Sequence, residues 1–223
     1  MPLHPPAEVL SRLFGRISAI PWFKKYPEIF LPERLLPISE SDLFHREGFR
    51  VLELGCGWGE FAGQWLQERP QDSYIAFELK KERIVSAIAG VRRTGCKDFR
   101  ILPLNYSWFL NLFPTSSVDL IIVNFPDPWP KKRHWKHRLV DMSFPEAAKK
   151  ILRPGGEVYL ATDYGPYARK ILGVFRSSPD FSSVYPWPHY RREKEASIPG
   201  SRFERIQTEQ MKRPYYQKWM CRK

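Results

Sequence analysis

From residue 49 onward, short apolar runs alternate with segments patterned as amphipathic helices, and this alternation constrains the fold more than any other feature. The runs read FRVLELG, SYIAFEL, FRILPLN, VDLIIVNF and EVYLAT, and helix-like segments lie at 60–68, 80–93, 145–152 and 165–176. Apolar strands that alternate with helices form a parallel sheet covered on both faces. Two further strand-like pieces, 181–185 and 215–221, lie too near the end for another crossover. The prediction is therefore α/β: a mostly parallel, seven-stranded, Rossmann-like sheet with helices on both faces and an antiparallel C-terminal hairpin.

The chain of 223 residues is long enough for one domain with a full core. We expect residues 49–223 to form that domain and residues 1–48 to form an N-terminal extension. Within the extension, residues 7–20 have one apolar side, which is typical of an amphipathic helix. Docking on the domain or on a partner is favoured over a membrane-surface helix. The following stretch, IPWFKKYPEIFLPERLLP, is rich in prolines and aromatic residues and predicts an irregular lead-in to the domain.

Composition excludes several classes of protein and favours one kind of partner. No apolar run approaches the roughly 20 residues that a membrane span needs, and the N-terminus lacks the apolar core of a signal peptide. Cys56, Cys96 and Cys221 form neither a disulfide framework nor a zinc pattern, which favours a reducing cytoplasm. The formal net charge of +12 indicates a polyanionic partner, either nucleic acid or an anionic membrane surface.

The first strand runs into a glycine loop, which we define as residues 55–59. Its glycines, Gly55, Gly57 and Gly59, allow a tight turn and a close approach of a ligand to the main chain. Gly57 and Gly59 with Ala62 also fit the dinucleotide fingerprint, so the loop alone leaves a nicotinamide enzyme open.

Polar side chains follow four successive strands of the predicted sheet: Glu53, Glu78, Asn105 and Asp127. Glu53 lies in the glycine turn, where it would repel a pyrophosphate and attract a cation such as the sulfonium of S-adenosylmethionine. Glu78 stands where a ribose-hydroxyl acceptor is expected, which suits either cofactor. Asn105 could hydrogen-bond an adenine edge. Because the carboxyl ends of parallel strands meet at one edge, we expect a cofactor site there and prefer S-adenosylmethionine over NAD.

The stretch FPDPWPKKRHWKHRLV, residues 125–140, places one carboxylate beside a run of cations. Pro126 and Pro128 restrict the backbone around Asp127. Trp129 could stack on a base or anchor the loop, and the two interpretations remain open. The Lys and Arg side chains that follow favour contacts with RNA phosphates over a merely solvated surface. His134 and His137 lack a third ligand residue, so we expect no metal.

At these residues the chain resembles the tRNA (guanine-N7)-methyltransferases of the bacterial TrmB type. PDPWPKKRHWKHRL matches the family's P-D-P-W-P-K-K-R-H-x-K-R-R-L run except at His137. LELGCGWGE, AFELK and ATDYGPYA resemble further family motifs, and SRFE stands where the family has T-K-F-E, with Arg202 for the usual Lys. The family's frequent R-G-x-x-x-G-H element is missing after Arg205. The resemblance implies a class I methyltransferase domain that methylates tRNA at N7 of guanine 46.

Carried over residue by residue, the resemblance implies three groups of functional side chains. Those expected to contact the cofactor are Glu53, Gly55, Gly57, Gly59, Glu78, Asn105 and Asp127, and Asp127 is also the implied catalytic residue. Those expected to contact the substrate guanosine are Lys131, Asp163, Ser201, Arg202, Phe203 and Glu204. Those expected to touch RNA are Arg133, His134, Trp135, Lys136, His137 and Arg138.

Two other functions compete with this one. A methyltransferase for a small molecule would leave the cationic run unexplained and would not respond to tRNA. A catalytically silent RNA-binding protein on a methyltransferase scaffold would bind tRNA but not the cofactor. The sequence shows no interface stripe, so it does not distinguish a monomer from a homodimer.

Overall fold

A computed structural model of the chain describes residues 20–30, 38–210 and 213–223, apart from the side chains of residues 107, 108 and 111. In these residues seven strands form one sheet in the order β3-β2-β1-β4-β5-β7-β6. The first five strands are parallel, and β7 is antiparallel to both β5 and β6. The strands are β1 Arg50–Leu54, β2 Ser73–Phe77, β3 Phe99–Leu102, β4 Val118–Asn124, β5 Leu152–Thr162, β6 Phe181–Ser183 and β7 Tyr215–Cys221. The predicted sheet and its C-terminal hairpin are confirmed.

The helices of the described residues include all four that the sequence predicts within the domain. They are α1 Glu40–Leu43, α2 Glu60–Glu68, α3 Lys81–Arg92, α4 Tyr106–Phe109, α5 Phe144–Ile151, α6 Gly165–Arg176 and α7 Arg202–Glu209. The predicted segments correspond to α2, α3, α5 and α6, with ends that differ by no more than one residue. Short 3₁₀ helices lie at Pro21–Lys25, Leu110–Leu112 and Lys132–His137. The amphipathic helix expected at 7–20 lies, except for its last residue, outside the described residues.

Alternate residues of the central strands enter two separate cores, one on each face of the sheet. On one face Val51 of β1 packs with Trp65 of α2 and Ile88 of α3. On the other face Leu52 packs with Phe144 of α5 and Ile171 of α6. Side chains of a strand alternate between its faces, so this arrangement requires apolar residues at every position of a doubly covered strand. The near-continuous apolar runs of the sequence satisfy this requirement.

The strand order places a crevice at the carboxyl ends of β1 and β4. β2 and β3 lie on one side of β1, whereas β4 and β5 lie on the other, and a sheet whose order reverses in this way opens a cleft at the reversal. We call the side of the sheet where β1, β2, β4 and β5 end the carboxyl edge. β7 brings Tyr215 opposite Thr162, the last residue of β5, so the insertion between β6 and β7 also reaches this edge.

The described part of the lead-in, residues 20–30, contacts the sheet, and the RPGG stretch lies within it. Ile29 forms an isolated parallel bridge with Ile101, and Glu28 forms an ion pair with Arg92 at 2.7 Å, so these residues cover part of the outer edge of β3. The RPGG stretch, residues 153–156, forms a turn-like kink within β5, where the register with β4 shifts and Gly155 has a φ of 75°. It is an irregularity of the strand and not its beginning. In the described parts of the chain no helix is long and apolar enough to cross a bilayer.

Candidate active site

The glycine loop joins β1 to α2 and leaves its backbone open. Gly55, Gly57 and Gly59 all have positive φ, at 89°, 58° and 82°. A Cβ at Gly59 would lie 2.4 Å from the Cα of Ala87, so only glycine lets α2 approach α3 this closely. A Cβ at Gly55 or Gly57 would meet nothing within 4 Å, so open space adjoins the loop there. These two positions leave room for a ligand to approach the main chain.

Glu78, directly after β2, is fixed by backbone groups. One carboxylate oxygen accepts hydrogen bonds from the N–H groups of Leu79 at 2.8 Å and Lys80 at 3.0 Å. The other accepts the N–H of Gly57 at 3.0 Å and lies 3.7 Å from the Arg83 guanidinium. The side chain therefore links the end of β2 to the glycine loop and is held in one orientation.

Glu53 is a buried acid on β1, with only 1% of its surface exposed. The Tyr74 hydroxyl donates to it at 2.8 Å. The amide nitrogen of Asn124 is buried beside it without making a hydrogen bond of normal geometry to a described residue. Burial and, to a lesser extent, the nearby charge of Glu78 together raise the pKa of Glu53 to about 7, although Tyr74 and Asn124 favour the ionised form. A cation bound next to Glu53 would therefore ionise it.

Tyr74 and Asn124 are site residues that sequence reasoning missed. The sequence could have indicated Asn124, because it is the polar residue at the end of the apolar run VDLIIVN. It could not have indicated Tyr74, since tyrosine is common in β-strands. Burial raises the pKa of the Cys56 thiol in the glycine loop well above its ordinary value, which disfavours the reactive thiolate.

The loop that carries Asp127, which we call the Asp127 loop (residues 125–130), has an unusual backbone. Phe125 and Trp129 have φ values of 47° and 42°, a region that bulky side chains rarely adopt. Such residues cost on the order of 1–3 kcal/mol each and persist where the surroundings hold them. Asp127, between Pro126 and Pro128, is exposed at the carboxyl edge. A strained, proline-flanked loop around an exposed carboxylate indicates a functional position.

Arg138 holds the Asp127 loop in this shape. Its guanidinium donates to the carbonyl of Pro128 at 2.8 Å and to that of Trp129 at 3.3 Å. It lies over the rings of Trp135 and Tyr167, at 4.6 and 4.9 Å from their centroids, and only 8% of the residue is exposed. We expected Arg138 to touch RNA, but its burial favours a role in holding the loop.

The tryptophan of the same loop is packed against its own segment. The Trp129 ring lies 5.5 Å from the His134 ring and 5.3 Å from the His137 ring. This packing favours the loop anchor over the base-stacking interpretation. In the part of the chain that the structure describes, no three His, Cys, Asp or Glu residues are grouped to hold a metal ion.

The start of α7 brings the two loops together. The Phe203 ring lies 5.0 Å from that of Phe125 in the Asp127 loop. Arg202 lies 4.0 Å from Glu60 and 5.7 Å from the ring of Trp58, at the glycine loop. The C-terminal insertion therefore contacts both loops at the same edge of the sheet.

Two other residues expected to contact substrate already have partners within the protein. Ser201 and Glu204 form a reciprocal capping box at the start of α7, and Glu204 also accepts a hydrogen bond from Tyr216 at 2.6 Å. A hydroxyl that accepts one hydrogen bond can still donate one, and a carboxylate can accept more than two. The first role of this pair is to begin the helix.

The remaining predicted site residues lie at the same edge. Asn105 is half-buried and precedes α4, three residues beyond the end of β3, and Asp163 is half-buried between β5 and α6. Lys131 precedes the 3₁₀ helix Lys132–His137. The exposed members of the cationic run are Lys131, Lys132, Arg133, Trp135, Lys136 and His137. We call residues 131–138 the basic segment.

The fold and this edge define a class of protein. A parallel sheet in the order 3-2-1-4-5 extended by an antiparallel hairpin, with a glycine loop after β1 and acids at β1 and β2, is a class I Rossmann-like methyltransferase. The chain is similar in structure to the 16S rRNA methyltransferase KamB, with a TM-score of 0.59 and 15% identity over 85% of this chain and 96% of that one. At this identity the likeness concerns the fold alone.

Sequence comparison identifies the family. The model of a family described as "Putative methyltransferase" matches residues 47–217, and the chain belongs to this family. A tRNA (guanine-N(7)-)-methyltransferase of Leptospira interrogans is 44% identical over 209 residues, which cover 92% of this chain and 94% of the relative. A protein of the same name from Nitrosomonas europaea is 32% identical, over 81% of this chain and 83% of the relative.

Proposed function

We propose that the protein transfers a methyl group from S-adenosylmethionine to N7 of a guanine in tRNA, at position 46 of the variable loop. The observation that carries this proposal is the meeting of the glycine loop and the Asp127 loop, through α7, beside the basic segment. The names of relatives that match nearly the whole chain support the same reaction.

The residues at the carboxyl edge fit S-adenosylmethionine. Gly55 and Gly57 leave space beside the main chain, and Glu78 is oriented to accept the ribose hydroxyls. Asn105 would contact the adenine edge. The buried Glu53 suits a cationic ligand better than a pyrophosphate, which argues against a dinucleotide. The bound cofactor supplies an electrophilic methyl group on a sulfonium.

The transfer to guanine N7 requires no general base. N7 carries an in-plane lone pair and no proton, so the new N–C bond forms as the S–C bond breaks, and the positive charge moves from sulfur to the purine. Asp127 would accept hydrogen bonds from the N–H groups of the base and stabilise this charge. Positioning of this kind lowers a barrier by roughly 7–11 kcal/mol. The Arg138 contacts that fix the Asp127 loop serve that positioning.

The basic segment would deliver the tRNA. Its exposed side chains, with no acid from residue 129 to residue 140, suit phosphate contacts on either side of the target guanine. Lys131, Asp163 and the start of α7 would surround the guanosine itself. We place this activity in the cytoplasm, where three unpaired cysteines remain reduced.

The reaction is tested by incubating unmodified tRNA with the protein and S-adenosylmethionine and mapping 7-methylguanosine by mass spectrometry. We expect one modified nucleotide, at position 46, and no product on the same tRNA with adenine at that position. An absence of 7-methylguanosine, or an equal yield on the adenine-containing tRNA, would contradict the proposal.

A further inference from the structure

A second proline-flanked tryptophan lies outside the proposed site, in the sequence Pro186-Trp187-Pro188. Trp187 is 84% exposed, the highest value among the large apolar side chains of the described residues. Tryptophan side chains are highly buried on average, so this exposure is unusual. A side chain this exposed adds little to the packing of the core. Tyr190, Arg191 and Arg192 follow three to five residues later, after Pro188 and His189.

The segment that carries Trp187 lies along the outer side of β7 and leads toward the proposed site. Near its start the N–H of Val184 donates to the carbonyl of Lys218 at 2.9 Å. Further on, Arg191 pairs with Tyr216 through two hydrogen bonds of 2.8 and 2.9 Å. Tyr215, which precedes Tyr216 and begins β7, lies opposite Thr162 at the carboxyl edge. We call residues 186–192 the Trp187 edge, and its arginine end adjoins the edge where the guanine would bind.

The two arginines of the Trp187 edge are held over aromatic rings and remain exposed. Arg192 lies 3.8 Å from the Tyr215 ring centroid, and Arg191 lies 4.5 Å from that of Tyr185. Among the described residues neither arginine has a carboxylate within ion-pair distance, and the nearby Glu195 contacts Lys218. Glu193 is the exposed acid of this stretch. Arg192 also donates to the carbonyl oxygen of Arg213. The net charge of the edge is positive, and both arginines keep exposed surface.

We propose that the Trp187 edge is a second RNA-contacting surface, on which Trp187 stacks against an unpaired base while Arg191 and Arg192 contact phosphates. This proposal rests on the proposed function and assigns part of the tRNA footprint. Single-stranded bases stack on exposed aromatic rings, and arginine fits phosphate through its planar fork. A second copy of this chain suits the surface less well, since self-association would bring like-charged arginines together on a chain of net charge +12.

The test compares four variants: Trp187→Ala, Trp187→Phe, the double variant Arg191→Ala with Arg192→Ala, and the control Met220→Ala. Met220 lies on β7 and is 41% exposed, so the control removes an exposed apolar side chain from the neighbouring strand. For each protein we measure tRNA affinity by fluorescence anisotropy across a salt series, S-adenosylmethionine affinity by calorimetry, methylation of tRNA, and mass by sedimentation.

Trp187→Ala should weaken tRNA binding by about tenfold, as expected for the loss of one stacked base, and Trp187→Phe should recover most of the loss. The double arginine variant should lower the salt slope of binding by about 1.5. Cofactor affinity should equal that of the parent in all four, and Met220→Ala should match the parent throughout.

Parent-like tRNA affinity and salt slope in both the Trp187 and the arginine variants would overturn the proposal while leaving the methyltransferase function intact. A change in oligomeric mass without a loss of RNA affinity would assign the surface to a second copy instead. If the parent protein forms no 7-methylguanosine and binds no tRNA, both proposals fail together.

Discussion

At the scale of a single side chain, Arg138 shows how burial changes the meaning of a cationic run. Six of its neighbours in the basic segment are exposed, but Arg138 is fixed under the Asp127 loop by two carbonyl groups and two aromatic rings. The positive charge of Arg138 and the planar shape of its guanidinium can therefore be tested separately, because a lysine at this position keeps the charge but not the planar fork.

We predict that Arg138→Lys slows methyl transfer by about 10- to 100-fold, because a small displacement of the loop misplaces Asp127. The tRNA affinity and its salt slope should stay at the parent values, since the positive charge is kept. Single-turnover methylation and binding titrations measure the two effects. A variant that methylates at the parent rate would show that the guanidinium fork does not position the loop.

A second prediction at this scale concerns the pH dependence of cofactor binding, because the pKa of Glu53 is about 7 in the cofactor-free protein. The folded protein keeps the proton that the unfolded chain loses near pH 4.5, so the stability from the neutral acid is complete below pH 4.5 and is lost as pH rises through 7. Binding of a cationic cofactor favours the ionised acid. We therefore expect affinity for S-adenosylmethionine to fall by up to about tenfold per pH unit below 7.

Calorimetric titrations between pH 5.5 and 8.5 measure this dependence. The matched variant is Glu53→Gln, which keeps the hydrogen bond from Tyr74 but does not titrate. Its affinity should be weaker at pH 8 and independent of pH across the range. The same slope in both proteins would mean that another group is responsible.

At the scale of the element, the basic segment separates RNA binding from catalysis. Lys132 and Arg133 are exposed at the start of its 3₁₀ helix, away from the buried Arg138. Phosphate contacts release counterions, so each contact adds about 0.7–0.9 to the salt slope of binding.

The double variant Lys132→Ala with Arg133→Ala should therefore bind tRNA more weakly and lower the salt slope by about 1.5. The control replaces Lys24 and Lys25, two adjacent exposed lysines at the end of the 3₁₀ helix Pro21–Lys25 and outside the basic segment. It removes the same charge and should change the slope much less. An equal change in both proteins would point to general attraction by net charge and not to contacts made by the segment.

The helix α7 is an element that pattern reading missed although a signal was present. Its residues, Arg202–Glu209, are too polar to produce an apolar stripe. Ser201 is the N-cap residue and Glu204 is the third residue of the helix, so the two form the Ser-x-x-Glu pattern of a capping box. This pattern does predict the start of a helix. Reading SRFE only as a substrate motif concealed its structural role.

At the scale of the whole molecule, the sheet and its covering helices could be predicted because each central strand is buried on both faces. The runs VLEL and LIIV had to be continuous, and the helices had to be amphipathic. Contacts between distant residues could not be predicted in this way. The bond from Tyr74 to Glu53, and the meeting of Phe203 with Phe125, depend on register and loop path, which no local pattern encodes.

The acids after the strands were placed at one edge for the same topological reason, although their roles stay predictions. The sheet order brings Glu53, Glu78 and the Asp127 loop to the carboxyl edge, where the two central strands diverge. The contribution of the structure is to show what fixes each group: backbone N–H groups for Glu78, burial for Glu53, and a strained loop for Asp127.

The central claim is that Asp127 positions the guanine and stabilises its developing charge without being needed to bind the RNA. The most direct measurement is single-turnover methylation of unmodified tRNA by Asp127→Ala, with tRNA affinity determined on the same samples. We predict a rate at least about 100-fold lower, with affinity within twofold of the parent. A parent-like rate, or a loss of RNA affinity with the rate of the bound complex unchanged, would contradict it.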